Sequence, residues 1–321
     1  MDTFYEEDIL GEGFQRTTLS LRDDYEGSAV ATLVRRLSDT GNGRSVLYIH
    51  GFNDYFFQRE MACRLNERSF HFYALDLRKY GRSWLSHQKF NDIRDIRVYF
   101  EEITLALQMI REEGSRTTVL LGHSTGGLIV TLYAKEHGDS SLFDGIMLNS
   151  PFFDFNKSWF VKKCIPFASL VGGFLPRIKI TGGFTEQYGK FLHRGSRGEW
   201  EYNLAWKPPR INLGWVRAIH KAQRELRQPF EVRKPLLVLH SERSVSNFSD
   251  EEQVQSRDAI LNVRDIQQVA RNIRGQVEIV SVLGGLHDLV LSCKEVRGKV
   301  YQIMFDWLER QNGTNDRNCL G

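Results

Sequence analysis

The chain has 321 residues, of which 41% are hydrophobic and 26% are charged, and its formal net charge is +3 at neutral pH. This composition is typical of a soluble globular protein, and the length is sufficient for a large core and long for one plain domain. The small net charge gives no reason to expect nucleic acid or an anionic membrane as a partner.

Leader segments, membrane spans and metal sites are not expected from the sequence. The first residues are acidic and lack the apolar core of a signal peptide, and no run of about 18 apolar residues could span a membrane. The four cysteines lie far apart without a C-x-x-C pair, so we expect buried free thiols, no disulfide framework and no metal. The expected location is cytoplasmic.

The first half of the chain predicts strands that alternate with helices. Alternating or continuously apolar runs predict strands, whereas apolar residues at helical spacing predict helices. The predicted strands are Thr17–Leu21 and Ala29–Leu37 as an antiparallel hairpin, then Ser45–Ile49, Phe70–Leu75, Thr117–Leu121 and Gly145–Asn149. The predicted helices are Phe57–Glu67, Ile93–Glu113 and one that follows Ser124. This alternation favours a mostly parallel sheet with helices on both faces.

The pattern is interrupted after residue 150 and resumes near residue 231. Residues 151–230, here called the lid, are rich in aromatic, glycine and basic residues and show little periodicity. Beyond the lid we predict strands at Pro235–His240 and Gln276–Val282 and helices at Ile266–Ile273 and Lys294–Glu309. The expected organisation is therefore a core of residues 1–150 and 231–311, an inserted lid over the carboxyl edge of the sheet, and a flexible tail from 312 to 321.

Ser124 stands between two glycines, in Gly122-His123-Ser124-Thr125-Gly126, at the predicted strand-to-helix turn. A serine in this context is typical of the nucleophile elbow of α/β-hydrolases. The glycines are expected because such a turn is tight and its serine strained. We therefore expect the α/β-hydrolase fold with Ser124 as the nucleophile.

A serine hydroxyl needs a general base, and in this fold the base follows the last strand. His287 lies there, in Gly284-Gly285-Leu286-His287-Asp288. The acid should follow the strand that ends near His240, and Asp258 is favoured because a short apolar run follows it. Glu242, Asp250 and Asp265 remain alternatives for the acid, whereas Asp288 is expected to face away and bond within its own loop.

The oxyanion of an acyl-transfer reaction needs two backbone donors, one after the nucleophile and one in an earlier loop. These positions are Thr125 and Phe52. His50 and His123 could line the site, but structural roles are expected for both. No metal or organic cofactor is implied.

With these residues placed, the chain resembles the serine-hydrolase family of monoacylglycerol lipases, lysophospholipases and S33 aminopeptidases. The stretches that carry the resemblance are His50-Gly51-Phe52, Asp76 to Ser83, Gly122 to Gly127 and Gly285-Leu286-His287-Asp288. Within Asp76 to Ser83 we expect a tight turn in which Arg82 bonds to backbone. The family's usual acid would fall at Ser244.

The chain is also similar to a bacterial subgroup of that family. The subgroup's lid motifs match Gly198-Glu199-Trp200 and Trp206-Lys207-Pro208, and its extended loop ends in a segment like Asp258-Ala259-Ile260-Leu261-Asn262-Val263. This second resemblance supports Asp258 as the acid.

These residues together predict an ester hydrolase that works through a Ser-His-Asp triad and an acyl-enzyme. The aromatic lid favours lipid-like or medium-chain esters, although most lid rings are expected to form the lid's own core. A transient contact with a membrane surface is left open. Basic side chains at Lys162, Lys163, Arg177 and Lys179 could serve an anionic substrate, but a solvated surface is expected.

Two other functions remain open. An aminopeptidase would use lid carboxylates for the substrate ammonium, and Glu186, Glu199 and Glu201 are the candidates. A binding protein without activity is disfavoured because both the serine and the histidine are present.

Overall fold

The structure is a computed structural model that describes residues 4–180, Leu192 and residues 211–318, with residues 312–318 described by their backbone alone. In this part of the chain the strands are β1 (Glu6–Glu7), β2 (Gln15–Asp24), β3 (Gly27–Arg36), β4 (Arg44–Ile49), β5 (Phe70–Asp76), β6 (Thr117–His123), β7 (Gly145–Asn149), β8 (Phe230–Glu231), β9 (Leu236–Ser241), β10 (Ile273–Arg274) and β11 (Val277–Val282).

Nine of these strands form one sheet in the order β1-β2-β3-β5-β4-β6-β7-β9-β11. Strands β5, β4, β6, β7, β9 and β11 run parallel, and the hairpin β2–β3 adds an antiparallel edge. The predicted hairpin and mostly parallel sheet are thus confirmed. Strands β8 and β10 form a separate short parallel pair.

The helices of the described residues are α1 (Arg59–Glu67), α2 (Tyr99–Glu112), α3 (Thr125–Glu136), α4 (Trp159–Phe174), α5 (Leu213–Leu226), α6 (Glu251–Val254), α7 (Val263–Ala270) and α8 (Lys294–Asn318). They cover both faces of the sheet, as predicted. Successive residues of a strand point to opposite faces, so Leu47 joins one core cluster with α2, α3 and α5, whereas Tyr48 joins another with α1 and α8.

Two helix starts differ from the predicted ones because side chains cap the backbone at other positions. The helix predicted from Ile93 begins at Tyr99, after a turn at Ile96–Val98 that the Asp95 side chain caps. Helix α7 begins at Val263 rather than Ile266 because the Asn262 side chain accepts a hydrogen bond from the Arg264 amide. Helix α8 continues past Glu309 to Asn318.

The lid contributes α4 and α5 to the described residues, and the two helices pack against each other. Neither helix was among the predicted elements, because little periodicity was recognised in the lid. Helix α5 also packs against α3, so the lid is joined to the helix that follows Ser124. The lid residues 181–191 and 193–210 lie outside the described part, and with them Glu186, Glu199, Glu201 and both subgroup motifs of the lid.

The expectation of buried cysteines is wrong for the described thiols. Cys63 is half-buried, and Cys164 and Cys293 are exposed, although all three are free. Within the described ranges no cluster of His, Cys, Asp and Glu side chains could hold a metal ion. None of the helices traced there is sufficiently long and apolar to cross a membrane.

Candidate active site

Ser124 occupies a strained turn between β6 and α3. Its φ of 51° and ψ of −115° lie in a region that side chains rarely adopt. A Cβ on Gly126 would lie 2.2 Å from the Ile49 carbonyl oxygen, and one on Gly122 would lie 2.7 Å from the Gly126 carbonyl oxygen. Both glycines are therefore required by close backbone contacts, as expected for an elbow that presents Ser124 at the carboxyl edge of the sheet.

The structure brings Ser124, His287 and Asp258 together. The Ser124 Oγ lies 3.0 Å from His287 Nε2, and His287 Nδ1 lies 3.0 Å from Asp258 Oδ2. All three side chains are buried. Because a carboxylate only accepts hydrogen bonds, the His287 proton sits on Nδ1 and leaves Nε2 free to accept the serine proton.

Asp258 is oriented by the backbone that follows it. Its Oδ1 accepts hydrogen bonds from the amides of Ile260 and Leu261, at 2.8 and 2.7 Å. The other oxygen, Oδ2, is thereby left for His287. The apolar run after Asp258 thus positions the carboxylate with its amides, whereas the sequence suggested only an anchoring role.

The alternative acids bind elsewhere. Glu242 is exposed and its side chain pairs with Arg243 at 3.4 Å. Asp250 caps α6 through the Gln253 amide, and Asp265 forms a 2.7 Å ion pair with Lys162.

His50 and His123 have structural partners, as expected. His50 Nδ1 donates to the Gly51 carbonyl at 2.7 Å, and its Nε2 accepts from the Leu77 amide at 3.0 Å. The ring of His123 lies 4.9 Å from that of His287, and its Nδ1 donates to the Asn149 carbonyl. Burial lowers the pKa of His123 to about 4, so this imidazole is neutral beside His287 at neutral pH.

The loop after β4 lies directly against the serine, because a Cβ on Gly51 would be 3.2 Å from Ser124 Cβ. Phe52 is the next residue of this loop. Thr125 is the first residue of α3, where helix geometry leaves the amide without an intrahelical acceptor. The two predicted oxyanion donors therefore belong to backbone segments that flank Ser124.

Asp54 holds this loop, a role that the sequence did not predict. Its Oδ2 accepts from the Gly51 amide at 3.2 Å and its Oδ1 from the Tyr55 amide at 2.8 Å. Desolvation, followed by the negative charge of Asp288, raises the pKa of Asp54 to about 8. The carboxyl is thus mostly protonated at pH 7. The aspartate is visible in the sequence, but its nearness to Asp288 depends on the fold.

Asp288 bonds within its own loop, as expected, but it also binds two other segments of the chain. Its side chain does accept from the Val290 amide, but it also accepts from Asn149 Nδ2 at 2.7 Å and Gln58 Nε2 at 3.1 Å. Asp288 is buried. It therefore ties the loop that carries His287 to the end of β7 and the start of α1.

Arg82 binds more than the expected backbone. It donates to the Phe56 carbonyl at 3.1 Å and to the carboxylates of Asp76, at 2.8 Å, and Asp8, at 2.7 Å. Asp76 in turn accepts from the Phe56 amide. The turn after β5 is thus bound to the loop after β4 by a buried network of ions.

Aromatic side chains connect the lid to the serine. Trp215 of α5 packs on the Phe52 ring with a centroid separation of 4.7 Å and also contacts Phe152 and Phe155. The Phe152 amide donates to the Ser124 carbonyl at 2.9 Å. An apolar wall therefore adjoins both the nucleophile and a predicted oxyanion donor.

The expectation that most lid rings are buried in its own core is wrong for α4. Trp159, Phe160, Phe167 and Phe174 are between 70% and 81% exposed. Trp215 is buried, but it packs on Phe52 outside the lid as well as on the lid residues Phe152 and Phe155. The remaining aromatic residues of the predicted lid core, from Phe184 to Trp206, lie outside the described residues.

The parallel sheet, the elbow after β6 and the histidine after the last strand define an α/β-hydrolase. Structures of similar fold include a soluble variant of monoglyceride lipase from Saccharomyces cerevisiae in complex with a substrate analogue, with a TM-score of 0.67 and 18% identity over 91% of this chain and 94% of that one. The monoacylglycerol lipase of Paleococcus ferrophilus gives a TM-score of 0.63 and 15% identity over 87% and 99% of the two chains.

A further similar structure is Est1E from Butyrivibrio proteoclasticus with bound ferulic acid, at a TM-score of 0.58 and 16% identity over 91% of this chain and 99% of that one. No curated protein sequence matches the chain significantly. The family model of the S33 serine aminopeptidases matches residues 42–291. The chain therefore belongs to this family of hydrolases.

Proposed function

We propose that this enzyme hydrolyses carboxylic esters with lipid-like or medium-chain acyl groups through Ser124, His287 and Asp258. The observation that carries the proposal is the buried arrangement in which Ser124 Oγ, His287 and Asp258 are joined by two hydrogen bonds of 3.0 Å. Such a hydrogen-bonded arrangement makes a serine hydroxyl nucleophilic at neutral pH.

In the proposed reaction His287 Nε2 takes the proton of Ser124 as the hydroxyl attacks the ester carbonyl. Asp258 stabilises the imidazolium and keeps its Nδ1 proton in place. His287 then protonates the leaving alcohol, and the acyl group stays on Ser124. Water activated by the same imidazole releases the acid and restores the serine.

The negative oxygen of the tetrahedral intermediate would be bound by the amides of Phe52 and Thr125. The amino end of α3 adds a favourable dipole at this point. Each such donor typically contributes roughly 3–4 kcal/mol of transition-state stabilisation. Asp54 supports this arrangement by holding the Gly51 amide, one residue before Phe52.

The apolar wall of Phe52, Phe152 and Trp215 supports an apolar acyl group rather than a peptide as the substrate. Monoglyceride and monoacylglycerol lipases are among the proteins of similar fold. Aminopeptidase activity is the second candidate, because the family is named for it. Its ammonium-binding carboxylates would have to come from lid residues beyond the described part.

The exposed face of α4 supports a lipid surface as the source of the substrate. Residues 155–180 contain no acidic side chain, and four exposed cations accompany the exposed rings, namely Lys157, Lys163, Arg177 and Lys179. A cationic and apolar segment of this kind, made of α4 and the residues that flank it, fits the headgroup region of an anionic lipid surface. We propose a transient contact there, and the small net charge of the whole chain does not oppose it.

The experiment is labelling with a fluorophosphonate, followed by ester hydrolysis. The wild type should be labelled, whereas Ser124→Ala and His287→Ala should not, and Ser249→Ala in an exposed loop is the control. Equal labelling of Ser124→Ala would remove the serine from the mechanism. Nitrophenyl esters of increasing chain length are then compared with aminoacyl naphthylamides, and a preference for the amides would favour the aminopeptidase.

A further inference from the structure

The acid proposed for the triad stands at the end of a long loop. After β9 ends at Ser241, the chain runs outward through α6 before it returns at Asp258. A longer loop has more conformations, and the entropy lost on ordering it increases with its length. The direction of the Asp258 carboxylate must therefore be set by contacts made where the loop closes.

The two ends of this loop are joined by a short parallel bridge between Ser244 and Asp258. The Asp258 amide donates to the Arg243 carbonyl at 2.9 Å, and the Val245 amide donates to the Asp258 carbonyl at 2.8 Å. These backbone bonds place Ser244 beside the acid. They do not by themselves fix the segment after Asp258, whose amides hold the carboxylate.

The hydroxyl of Ser244 binds that segment at two points. It donates to the Leu261 carbonyl at 2.9 Å and accepts from the Val263 amide at 2.9 Å. Leu261 is also one of the two residues whose amides bind Asp258 Oδ1. The hydroxyl thus fixes Leu261, the residue whose amide binds the carboxylate, and it does so through side-chain bonds that a substitution can remove.

We propose that Ser244 is a positioning residue that aligns Asp258 with His287 by fixing the segment from Leu261 to Val263. The inference rests on the proposed function, since it assigns Asp258 to the triad. By resemblance, the family's usual acid falls at position 244. In this chain the acid stands at 258 instead, and the hydroxyl at 244 holds the segment that orients it.

The test measures kcat/KM for a nitrophenyl ester together with the downfield proton resonance of His287 Nδ1–H. Ser244→Ala should reduce kcat/KM by about tenfold, the effect of losing one or two hydrogen bonds, and should weaken or shift the resonance. Ser244→Thr, which keeps the hydroxyl, should restore both. Ser256→Ala is the control, because that hydroxyl binds the Glu252 carbonyl in the same loop without contacting the acid.

A double-mutant cycle separates this role from a merely structural one. Because Ser244 acts through Asp258, Ser244→Ala should have no further effect on kcat/KM in the Asp258→Asn background. An additive effect would overturn the inference, as would a lower melting temperature with unchanged kcat/KM and resonance. If Ser244→Ala folds poorly, Ser244→Cys takes its place, because it keeps the size of the side chain but weakens its hydrogen bonds. This variant should reduce kcat/KM by less than the tenfold expected for alanine.

The proposed function is checked separately in the same preparations. Fluorophosphonate labelling of the wild type at Ser124, with none in Ser124→Ala, establishes the nucleophile. If that labelling fails, the triad is wrong. If labelling succeeds but Ser244→Ala behaves as the wild type, only the role of Ser244 is refuted.

Discussion

Replacing Asp258 by asparagine should reverse the tautomer of His287. In the wild type the amides of Ile260 and Leu261 occupy Oδ1, and Oδ2 accepts from His287 Nδ1. Asparagine has one oxygen, which the two amides will hold in the Oδ1 position. Its NH₂ group then faces Nδ1, so the imidazole must carry its proton on Nε2, where it can no longer accept the proton of Ser124.

The expected loss in kcat is about 10⁴-fold, the effect typical of a triad histidine held in the wrong tautomer. This corresponds to about 5 kcal/mol of transition-state stabilisation. The fold should be little affected, because both backbone bonds to the side chain remain. The assay is the steady-state kcat for a nitrophenyl ester, with the free energy of unfolding measured in parallel.

Glu242→Gln is the matched control, since this side chain is exposed and binds only a neighbouring arginine among the contacts described. It should retain the wild-type rate. A kcat for Asp258→Asn within about tenfold of the wild type would refute the reasoning. A 10⁴-fold loss in Glu242→Gln instead would transfer the role to that residue.

Three further outcomes are expected. Gly126→Ala should lower the free energy of unfolding by about 3 kcal/mol in denaturant titrations, because its Cβ would lie 2.2 Å from a backbone oxygen of β4. Gly298→Ala is the control, since a Cβ there would have nothing within 4 Å, and equal free energies of unfolding for the two variants would contradict the reasoning. Asp54 keeps its proton up to about pH 8 in the folded protein but releases it near pH 3.8 when unfolded, so the stability of the wild type should fall as pH rises across this window. Asp54→Asn should abolish that fall, and parallel curves of stability against pH for the two proteins would exclude the raised pKa of Asp54. The double substitution Phe160→Ser and Phe167→Ser in α4 should abolish sedimentation with phosphatidylglycerol vesicles but leave hydrolysis of a soluble ester unchanged. Unaltered sedimentation, or a concentration-dependent dimer without vesicle binding, would refute the proposed contact of α4 with a lipid surface.

The elements that the sequence predicts well depend on local patterns. The elbow at Ser124 is set by two glycines and the strand before it, and the loop of His287 by its place after the last strand. Asp258 could be favoured from its apolar neighbours, but the amides that orient it are visible only in the structure.

Other features could not be predicted because they depend on distant contacts. Asp288 meets Gln58 and Asn149 only after three strands and a helix have packed. The raised pKa of Asp54 has the same origin. The rings of α4 were expected to be buried because aromatic residues usually are, and the sequence contains no pattern that separates a packed aromatic helix from an exposed one.

The ion network around Arg82 connects the first residues of the chain to a loop beside the proposed nucleophile. Asp8 lies far from Ser124 in sequence, yet it shares the buried guanidinium that also binds the backbone of Phe56, at the far end of the loop after β4. Cleavage or a fusion that displaced Asp8 would leave that guanidinium with half of its counter-charge and would loosen the loop. Protein lacking this residue should therefore be a slower catalyst with an intact triad, and activity measured on trimmed preparations would understate that of the full chain.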